Sequence, residues 1–212
     1  VYWQDGDVIS VNGIASAPLS IGTAAPTAEF SFSSVLGDEK KAVYPSSIWV
    51  SDGTICLPSA QVAGSDASFG QNAVPTVACA TSGNSLLFKQ VAALVKLNFK
   101  AGASTAPVDY VEFSGNNGEQ VSGNFGVDSS TGVLAPASSS DADKAVRVSV
   151  DRIFGSGVST VYIAVPPGVY SNGFTIKVVD TGGVTMTKKA GSITLKRGGI
   201  YASAVETFDG DG

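Results

Sequence analysis

The sequence FTIKVVDTGGVTMTK, residues 174–188, decides how the rest of the chain is interpreted. Phe174, Ile176 and Val178 alternate with Thr and Lys, which is the period of a strand with one buried face and one solvated face. Two consecutive glycines then separate this run from a second short one, and glycines at such a place are typical of a tight turn. The stretch therefore predicts two antiparallel strands joined by a hairpin.

Period-2 alternation recurs along the chain, with turn residues between its segments. The further alternating sets are Phe30 and Phe32, then Val95, Leu97 and Phe99, then Val146, Val148 and Val150, and finally Val161, Ile163 and Val165. We predict strands at these places, an irregular turn near Gln90 and a single helical turn over residues 141–144. The residues expected to share one core are Val146, Val148, Val161, Ile163, Ile176 and Val178.

The composition also favours strands over helices. The chain has 212 residues, of which 43% are hydrophobic and 15% charged, whereas an average soluble domain carries roughly 25% charged residues. Val and Ile far outnumber Leu, and β-branched side chains fit a pleated sheet better than a helix. Many short strands with regular turns are typical of a β-sandwich. The sequence therefore predicts an all-β protein.

Several classes of function are disfavoured. The chain contains no histidine, which removes the common catalytic triads and histidine-ligated zinc sites. Its net charge of −5 disfavours a nucleic-acid interface. Close aspartate pairs, such as Asp5 with Asp7, match turn formers better than the spaced carboxylates of a glycosidase. We therefore predict that the protein is not an enzyme, requires no cofactor or metal, and binds no nucleic acid.

Two cysteines, Cys56 and Cys79, lie in apolar contexts. The preferred interpretation is two small buried side chains. The alternative is one disulfide bridge formed in an oxidising compartment. The sequence leaves both open, because a bridge requires the two strands to be neighbours.

A change in strand pattern predicts a domain boundary near residues 81–84. The preceding strands are short and interrupted by proline, whereas the following ones are longer and more regular. We predict two sandwiches in tandem, an N-terminal one over residues 1–83 and a C-terminal one over residues 84–212. The chain starts at Val1 within what reads as a strand, so the first sandwich is expected to lack its first strand.

A family resemblance is carried by an ordered set of segments that spans nearly the whole chain. The segments are Trp3-Gln4-Asp5-Gly6-Asp7-Val8-Ile9, Tyr44-Pro45, Leu57-Pro58-Ser59-Ala60-Gln61, Leu86-Leu87-Phe88 with Ala93-Leu94, Val161 to Pro166-Pro167-Gly168, and Leu195 to Tyr201. Together they resemble the fimbrillin-like surface proteins of Gram-negative gut and oral bacteria. That resemblance implies two tandem transthyretin-like antiparallel β-sandwich domains.

The resemblance also implies a role. Such proteins are secreted with a lipoprotein signal and displayed at the outer membrane, and many form fimbriae when a strand of the next subunit fills a groove left by proteolysis. We accordingly expect a fimbrial or pilin-like structural subunit or a cell-surface adhesin, located at the cell surface, outer membrane or fimbrium. Its expected partners are other subunits or host or bacterial surface ligands. Membrane attachment is expected only through a lipid anchor upstream of this chain.

Both ends of the chain are candidates for strand addition. The candidate assembly residues are Val1, Tyr2, Trp3, Tyr201, Val205 and Phe208. The first three open an apolar stretch that is expected to lie beside an unfilled or swapped edge. In the strand expected over residues 199–208, Tyr201 and Val205 share one face and Phe208 lies on the other. That strand either is donated to a neighbour or completes its own sheet.

An alternative function on the same fold is a glycan- or matrix-binding module. Aromatic side chains form sugar platforms when they are exposed in a row, and the candidates are Trp3, Tyr44, Trp49 and Tyr110. Core packing is the preferred interpretation of both tryptophans, because each lies in an alternating apolar context.

Overall fold

The computed structural model describes residues 2–66, 68–102, 105–137 and 140–210, so that Val1 lies outside the described residues. The strands up to residue 101 are β1 (Ser10–Val11), β2 (Ile14–Ala15), β3 (Lys40–Tyr44), β4 (Trp49–Ser51), β5 (Thr54–Leu57), β6 (Ala60–Val62), β7 (Thr76–Ala80), β8 (Lys89–Gln90) and β9 (Ala93–Ala101). The later strands are β10 (Val108–Gly115), β11 (Gly123–Asp128), β12 (Val133–Pro136), β13 (Ala145–Arg152), β14 (Ser159–Val165), β15 (Gly168–Tyr170), β16 (Phe174–Asp180), β17 (Thr185–Ala190), β18 (Ile193–Leu195) and β19 (Ile200–Phe208). Two short 3-10 helices cover Ser46–Ile48 and Asp141–Lys144. The protein is therefore all-β, as predicted.

The strands form five sheets. Sheet I has the order β2-β1-β3-β7-β8 and sheet II the order β12-β11-β5-β4. Sheet III has the order β17-β16-β10-β13-β6, sheet IV the order β14-β9-β19, and sheet V pairs β15 with β18. Most pairs are antiparallel; β6 with β13 and β19 with β9 are parallel.

The hairpin predicted from residues 174–188 is confirmed. Strands β16 and β17 pair antiparallel, with Val178 opposite Met186. The Asp180 carboxylate accepts the backbone N–H groups of Gly182 and Val184 at 2.9 and 2.8 Å, and Gly183 takes a positive φ of 87° that suits glycine. The turn between the strands is therefore held by a buried side chain as well as by its glycines.

Sheets III, IV and V enclose one large core. All six residues predicted to share a core lie in it, and each is buried. Its largest side chains include Phe99, Phe113 and Phe154, and the Phe99 and Phe154 rings are stacked with their centroids 4.9 Å apart. The prediction from strand alternation is thus confirmed for this part of the molecule.

Sheets I and II contain two smaller clusters. One consists of Val43, Ile48, Ile55, Leu57, Val77, Val91 and Phe125, with Trp49, Val127 and Leu134 packed against it. The other consists of Ile9, Val11, Ala42, Tyr44 and Ala78, with Trp3, Phe30, Phe32, Leu36, Leu86 and Phe88 packed against it. We call the first the hairpin cluster and the second the Trp3 cluster.

Strands from both sides of residue 83 share sheets. The β11–β12 hairpin joins sheet II, because β11 pairs with β5 over residues 123–126. In the opposite direction, β6 joins sheet III by pairing parallel with β13. Strand β8, which follows residue 83, also joins sheet I by pairing with β7. The division into residues 1–83 and 84–212 remains a prediction, and it must accommodate these three connections.

Two local predictions need correction. Phe30 and Phe32 lie outside any strand. Their side chains pack against the Trp3 cluster, so their alternation reflects this packing rather than a hydrogen-bonded ladder. The cysteines are both free, with Cys56 half-buried and Cys79 exposed. Cys79 is exposed because it lies near the C-terminal end of β7, beyond the three residues of that strand that are buried.

Two other local predictions are confirmed. The chain turns irregularly between β8 and β9, directly after Gln90, before the long alternating strand begins. Residues Asp141–Lys144 form a single 3-10 turn, which Ser140 and Asp143 close with reciprocal hydrogen bonds.

Candidate assembly edges

At the N-terminus, the Trp3 side chain packs against a core cluster, and Tyr2 is exposed. Trp3 exchanges two backbone hydrogen bonds with Ala25, at 2.8 and 2.9 Å. Its ring meets those of Phe30, Tyr44 and Phe88 edge-on, with centroids 5.0 to 5.2 Å apart. The three ring contacts fix Trp3 in the Trp3 cluster, whereas Tyr2 keeps 63% of its side chain accessible.

Buried polar groups hold this N-terminal segment in place. The carboxylate of Asp7, only 1% exposed, accepts hydrogen bonds from the Gln4 backbone N–H at 2.9 Å, the Tyr44 hydroxyl at 2.8 Å and the Gln71 side-chain amide at 3.1 Å. Burial, together with the bond to Asp7, raises the pKa of the Tyr44 hydroxyl well above its ordinary value. The hydroxyl therefore remains a donor to Asp7.

Asp5 holds the neighbouring loop. One of its carboxylate oxygens accepts the backbone N–H groups of Ile21 at 2.6 Å and Gly22 at 2.9 Å. These bonds, first that from Gly22 and then that from Ile21, lower the pKa of the Asp5 carboxyl. The two predicted turn formers are thus bound to backbone groups in this loop.

At the C-terminus, residues Ile200–Phe208 form β19, which pairs with β9 of its own sheet. Phe208 is 2% exposed and its ring meets that of Phe154 edge-on at 6.2 Å. Tyr201 is half-buried against the large core, and its hydroxyl accepts the backbone N–H of Lys196 at 2.7 Å. Val205 is 45% exposed.

The predicted faces of this strand were wrong for one physical reason. The register of β19 on β9 shifts by one residue between Ala202 and Val205. This β-bulge moves Phe208 to the same inner side as Tyr201, because an extra residue reverses the alternation that follows it. Asn98 of β9 fixes the bulge by donating its backbone N–H to the Ser203 hydroxyl at 3.0 Å and its side-chain amide to the Ser203 carbonyl at 2.9 Å.

The opposite edge of sheet IV, formed by β14, is closed by side chains. The Gln61 side chain behaves as a neighbouring strand would: its carbonyl accepts the Ala164 backbone N–H at 3.0 Å and its amide donates to the Ala164 carbonyl at 2.8 Å. Gln61 itself is only 7% exposed. A buried bidentate amide of this kind satisfies both edge groups of the residue that it faces.

A second closure lies at Thr160, four residues before Ala164 on β14. The Asp66 carboxylate accepts the Thr160 backbone N–H at 2.9 Å, and Arg152 donates to the Thr160 carbonyl at 2.6 Å. Arg152 also forms an ion pair with Asp66 at 3.0 Å and donates to the Gly64 carbonyl at 2.6 Å. We call the residues Gln61, Asp66 and Arg152 the β14 seal.

Most other sheet edges are unsuited to strand addition, since edge strands are protected by shortness, charge, proline or bulges. Strands β2 and β8 have two residues each, β6 has three, and β4 carries a register shift against β5. Strand β12 ends in Pro136, which lacks a backbone N–H, and β17 exposes Lys188 and Lys189.

Strand β19 therefore offers the longest unprotected edge of the described residues. It has nine residues, and on its outer side no strand of the described chain pairs with it. Its exposed side chains are uncharged and include Ile200 at 61% and Val205 at 45%. Glu206, near the C-terminal end, is the exception and forms an ion pair with Lys188 at 3.3 Å.

The structure does not bring the two groups of candidate residues together in one sheet. Trp3 packs in the Trp3 cluster beside sheet I, whereas Tyr201 and Phe208 belong to the core beside sheet IV. The β14 seal was missed by sequence reasoning, since Gln61 meets Ala164 across 103 positions and no local pattern marks such a contact.

Comparisons with known proteins give matches of fold. No protein-family model matches the chain, and no curated protein matches it. A structure of a candidate cell adhesion protein from Bacteroides ovatus is similar with a TM-score of 0.59 and 16% identity, over 98% of this chain and 84% of that one. The chain has the fold of that protein.

Two further structures have the same fold. One is a candidate cell adhesion protein from Bacteroides uniformis, with a TM-score of 0.58 and 14% identity over 98% of this chain and 88% of that one. The other is a candidate cell adhesion protein from Bacteroides fragilis, with a TM-score of 0.53 and 10% identity over 98% of this chain and 82% of that one. At these identities the likeness establishes a shared architecture over nearly the whole chain.

Two structural features are absent from the described residues. No helix among them has the length and apolar character needed to cross a membrane. Nor do three or more acidic or cysteine side chains meet in the described part of the chain in a group that could hold a metal ion.

Proposed function

We propose that this protein is a cell-surface adhesion or fimbrial subunit that associates through the outer edge of β19. The observation that carries the proposal is the difference between the two edges of sheet IV. The β14 edge has its backbone groups at Thr160 and Ala164 bound by side chains, whereas no strand of the described chain lies along the outer side of the nine-residue β19.

The physical chemistry of strand addition suits this edge. An added strand supplies partners for the outward N–H and C=O groups, which gives affinity, while alternate side chains give specificity. Ile200 and Val205 provide exposed apolar contacts, and Ala202 and Ala204 are small enough for close approach. The seal at β14 would direct an incoming strand to β19.

The comparisons support a surface role. The three structures described above are named as candidate cell adhesion proteins. The low proportion of charged residues, 15%, agrees with an extracellular protein whose polar surface is made of Ser and Thr. We propose a location at the bacterial cell surface or in a fimbrium, with any membrane attachment through a lipid anchor upstream of this chain.

We also propose the finer description of the fold, two tandem transthyretin-like sandwiches divided near residue 83. Sheets I and II and their two clusters would belong to the first, and sheets III, IV and V to the second. The β11–β12 hairpin would then be an arm of the second sandwich that completes the first, and β6 an arm in the reverse direction.

Sedimentation velocity over a range of protein concentrations tests association through β19. Wild-type protein is expected to form oligomers that grow with concentration, and Ala202→Lys with Ala204→Lys is expected to stay monomeric, because edge lysines block pairing. Ala135→Lys in β12 is the matched control, an exposed alanine of another edge strand. Association that survives both lysines in β19, or a wild-type protein that is monomeric at every concentration, would contradict the proposal.

A further inference from the structure

A pocket of about 280 Å³ opens between the N-terminal segment and the loop that leads into β7. Its lining residues are Tyr2, Gln4, Ala24, Tyr44 and 68–74. We infer that this pocket, which we call the Tyr2 pocket, binds one neutral sugar ring. The inference rests on the proposed surface role. It names the class of ligand that the pocket would bind, at a site separate from β19.

Aromatic rings supply the apolar part of the Tyr2 pocket. Tyr2 is 63% exposed, although a tyrosine ring near a folded core would ordinarily be buried. Phe69 is half-buried, and the edge of its ring faces the Tyr162 ring at 6.2 Å, while it packs against Val74 and Leu94. These two rings, Phe69 packed on its neighbours and Tyr2 exposed, can stack on the C–H face of a sugar.

Amide side chains supply the polar part. Gln4, Gln71 and Asn72 are exposed in or beside the opening. Primary amides both donate and accept hydrogen bonds, as sugar hydroxyls do. Gln4 and Asn72 can therefore bind a hydroxyl in either sense, whereas the Gln71 amide nitrogen already donates to Asp5 and Asp7, so that only its oxygen is left to accept. The arrangement of aromatic faces and amides, rather than either alone, indicates a polyhydroxylated ring.

The floor of the pocket is preorganised. Gln71 donates to the Asp5 carbonyl at 3.0 Å and to the buried Asp7 carboxylate at 3.1 Å. Asn72 takes a positive φ of 63°, which is uncommon for a residue other than glycine, and its backbone N–H donates to the Tyr44 hydroxyl at 3.3 Å. A left-handed residue held by a buried network keeps the loop in one shape, which lowers the entropy cost of binding.

The charge and the volume of the pocket limit the class of ligand that it can bind. None of the described residues that line the pocket has a charged side chain, and the carboxylate of Asp7 lies directly behind them. An anionic ligand would therefore find no cation and would meet a negative charge. The volume is just below the lower end of the range for small-molecule sites, roughly 300 Å³, which suits a single ring.

Saturation-transfer difference NMR with the methyl glycosides of glucose, galactose, mannose and N-acetylglucosamine tests the inference. At least one glycoside is expected to receive saturation at its ring protons, and methyl glucuronide is expected to receive at least fivefold less. Tyr2→Ala is expected to reduce the signal at least fivefold. Tyr110→Ala is the matched control, because Tyr110 lies on β10, outside the pocket. The Arg147 guanidinium carbon lies over the Tyr110 ring, 4.5 Å from the ring centroid.

The outcomes separate this inference from the proposed association. Absence of transfer to every glycoside, or an equal signal in the Tyr2→Ala variant, would overturn sugar binding at this pocket and leave β19 association unaffected. Retention of the signal in the variant with Ala202→Lys and Ala204→Lys is the expected result, since the pocket and β19 are separate. Loss of the signal there, with the folded state intact by circular dichroism, would place the sugar at β19 and contradict the inference.

Discussion

The two groups of sheets in this molecule surround cores of different size. In sheets III, IV and V, long strands enclose one core of 22 buried residues. In sheets I and II, short strands surround clusters of seven and five buried residues, and side chains bind the backbone between them. Asn12, for example, donates to the Glu39 carbonyl and accepts the Lys41 N–H, each at 2.8 Å. Sheets I and II thus combine small cores with side-chain bonds to the backbone of their loops.

This contrast also bears on how one sheet edge can stay open. A strand that contributes large side chains to a continuous core stays in place without a second neighbour, and β19 does so through Phe208 and Tyr201. The strands of sheet I are short, and their anchors, such as Tyr44 of β3, belong to a cluster of only five buried residues. We therefore expect an exposed pairing edge to be tolerated beside the large core and not beside the small clusters.

Phe125→Ala is expected to have the largest effect, because β11 carries Phe125 into the hairpin cluster, where it is 1% exposed. Removing a buried phenylalanine costs about 3–5 kcal/mol. Urea denaturation followed by tryptophan fluorescence measures it, since Trp3 and Trp49, the two tryptophans of the chain, both pack on the N-terminal clusters.

The control for this variant is Val133→Ala on the partner strand of the same hairpin, where Val133 is 59% exposed. Its effect should stay within about 0.5 kcal/mol. If Phe125→Ala were equally mild, the β11–β12 hairpin would not stabilise sheet II. The two halves would then not be connected energetically through this hairpin.

Ile163→Ala removes a side chain of the large core that is 0% exposed, at an expected cost of about 2–5 kcal/mol. If the halves are separate units, circular dichroism should show a larger shift in midpoint than tryptophan fluorescence, because both tryptophans report on the other half. Val169→Ala, at a site 65% exposed, is the control. Equal shifts by both probes would indicate one cooperative unit.

Gln61→Ala opens part of the β14 seal and leaves the N–H and C=O of Ala164 without their partners. Unsatisfied buried groups cost about 1–3 kcal/mol, which is the expected loss of stability. The neighbouring substitution Val62→Ala, at a side chain 67% exposed, is the control and should be near neutral. A neutral Gln61→Ala would mean that water replaces the amide and that β14 is not sealed.

The smallest expected effect lies in the turn of the β11–β12 hairpin. Bonds from the Ser130 side chain and then the Thr131 side chain lower the pKa of the Asp128 carboxyl to about 2. Because the folded pKa is below the ordinary value of 3.8, the contribution to stability is present above that pH and is lost as the pH falls towards 2. A carboxyl NMR titration should find the low pKa, and Ser130→Ala should raise it. An Asp128 pKa near 3.8 in the wild type would show that the turn is open.

Sequence patterns predicted the half with the large core better than the other half. Val146, Val148 and Ile163 were placed correctly, because a long one-sided strand leaves its alternation in the sequence. Phe30 alternates in the same way and yet lies outside any strand, since extended chain shows the same period whether or not it is paired.

What the sequence could not predict depends on distant partners. The bulge at Ser203 is fixed by Asn98, and the seal at Ala164 by Gln61, each across more than a hundred positions. Among the candidate assembly residues, Tyr201 and Phe208 were correctly predicted to lie on one strand. They were predicted on opposite faces of that strand, whereas the bulge places them on the same face. Long-range hydrogen bonds leave no local period, so no single-sequence pattern reveals them.

Residue-resolved amide hydrogen exchange on the monomeric protein tests most directly whether β19 is open and β14 closed. The account predicts that Thr160 and Ala164 are protected like the inner strands, because Asp66 and Gln61 accept their N–H groups. It also predicts that alternate amides of β19 exchange at nearly the unprotected rate and become protected when the protein associates. Uniform protection along β19 in the monomer, or rapid exchange at Thr160 and Ala164, would contradict the account.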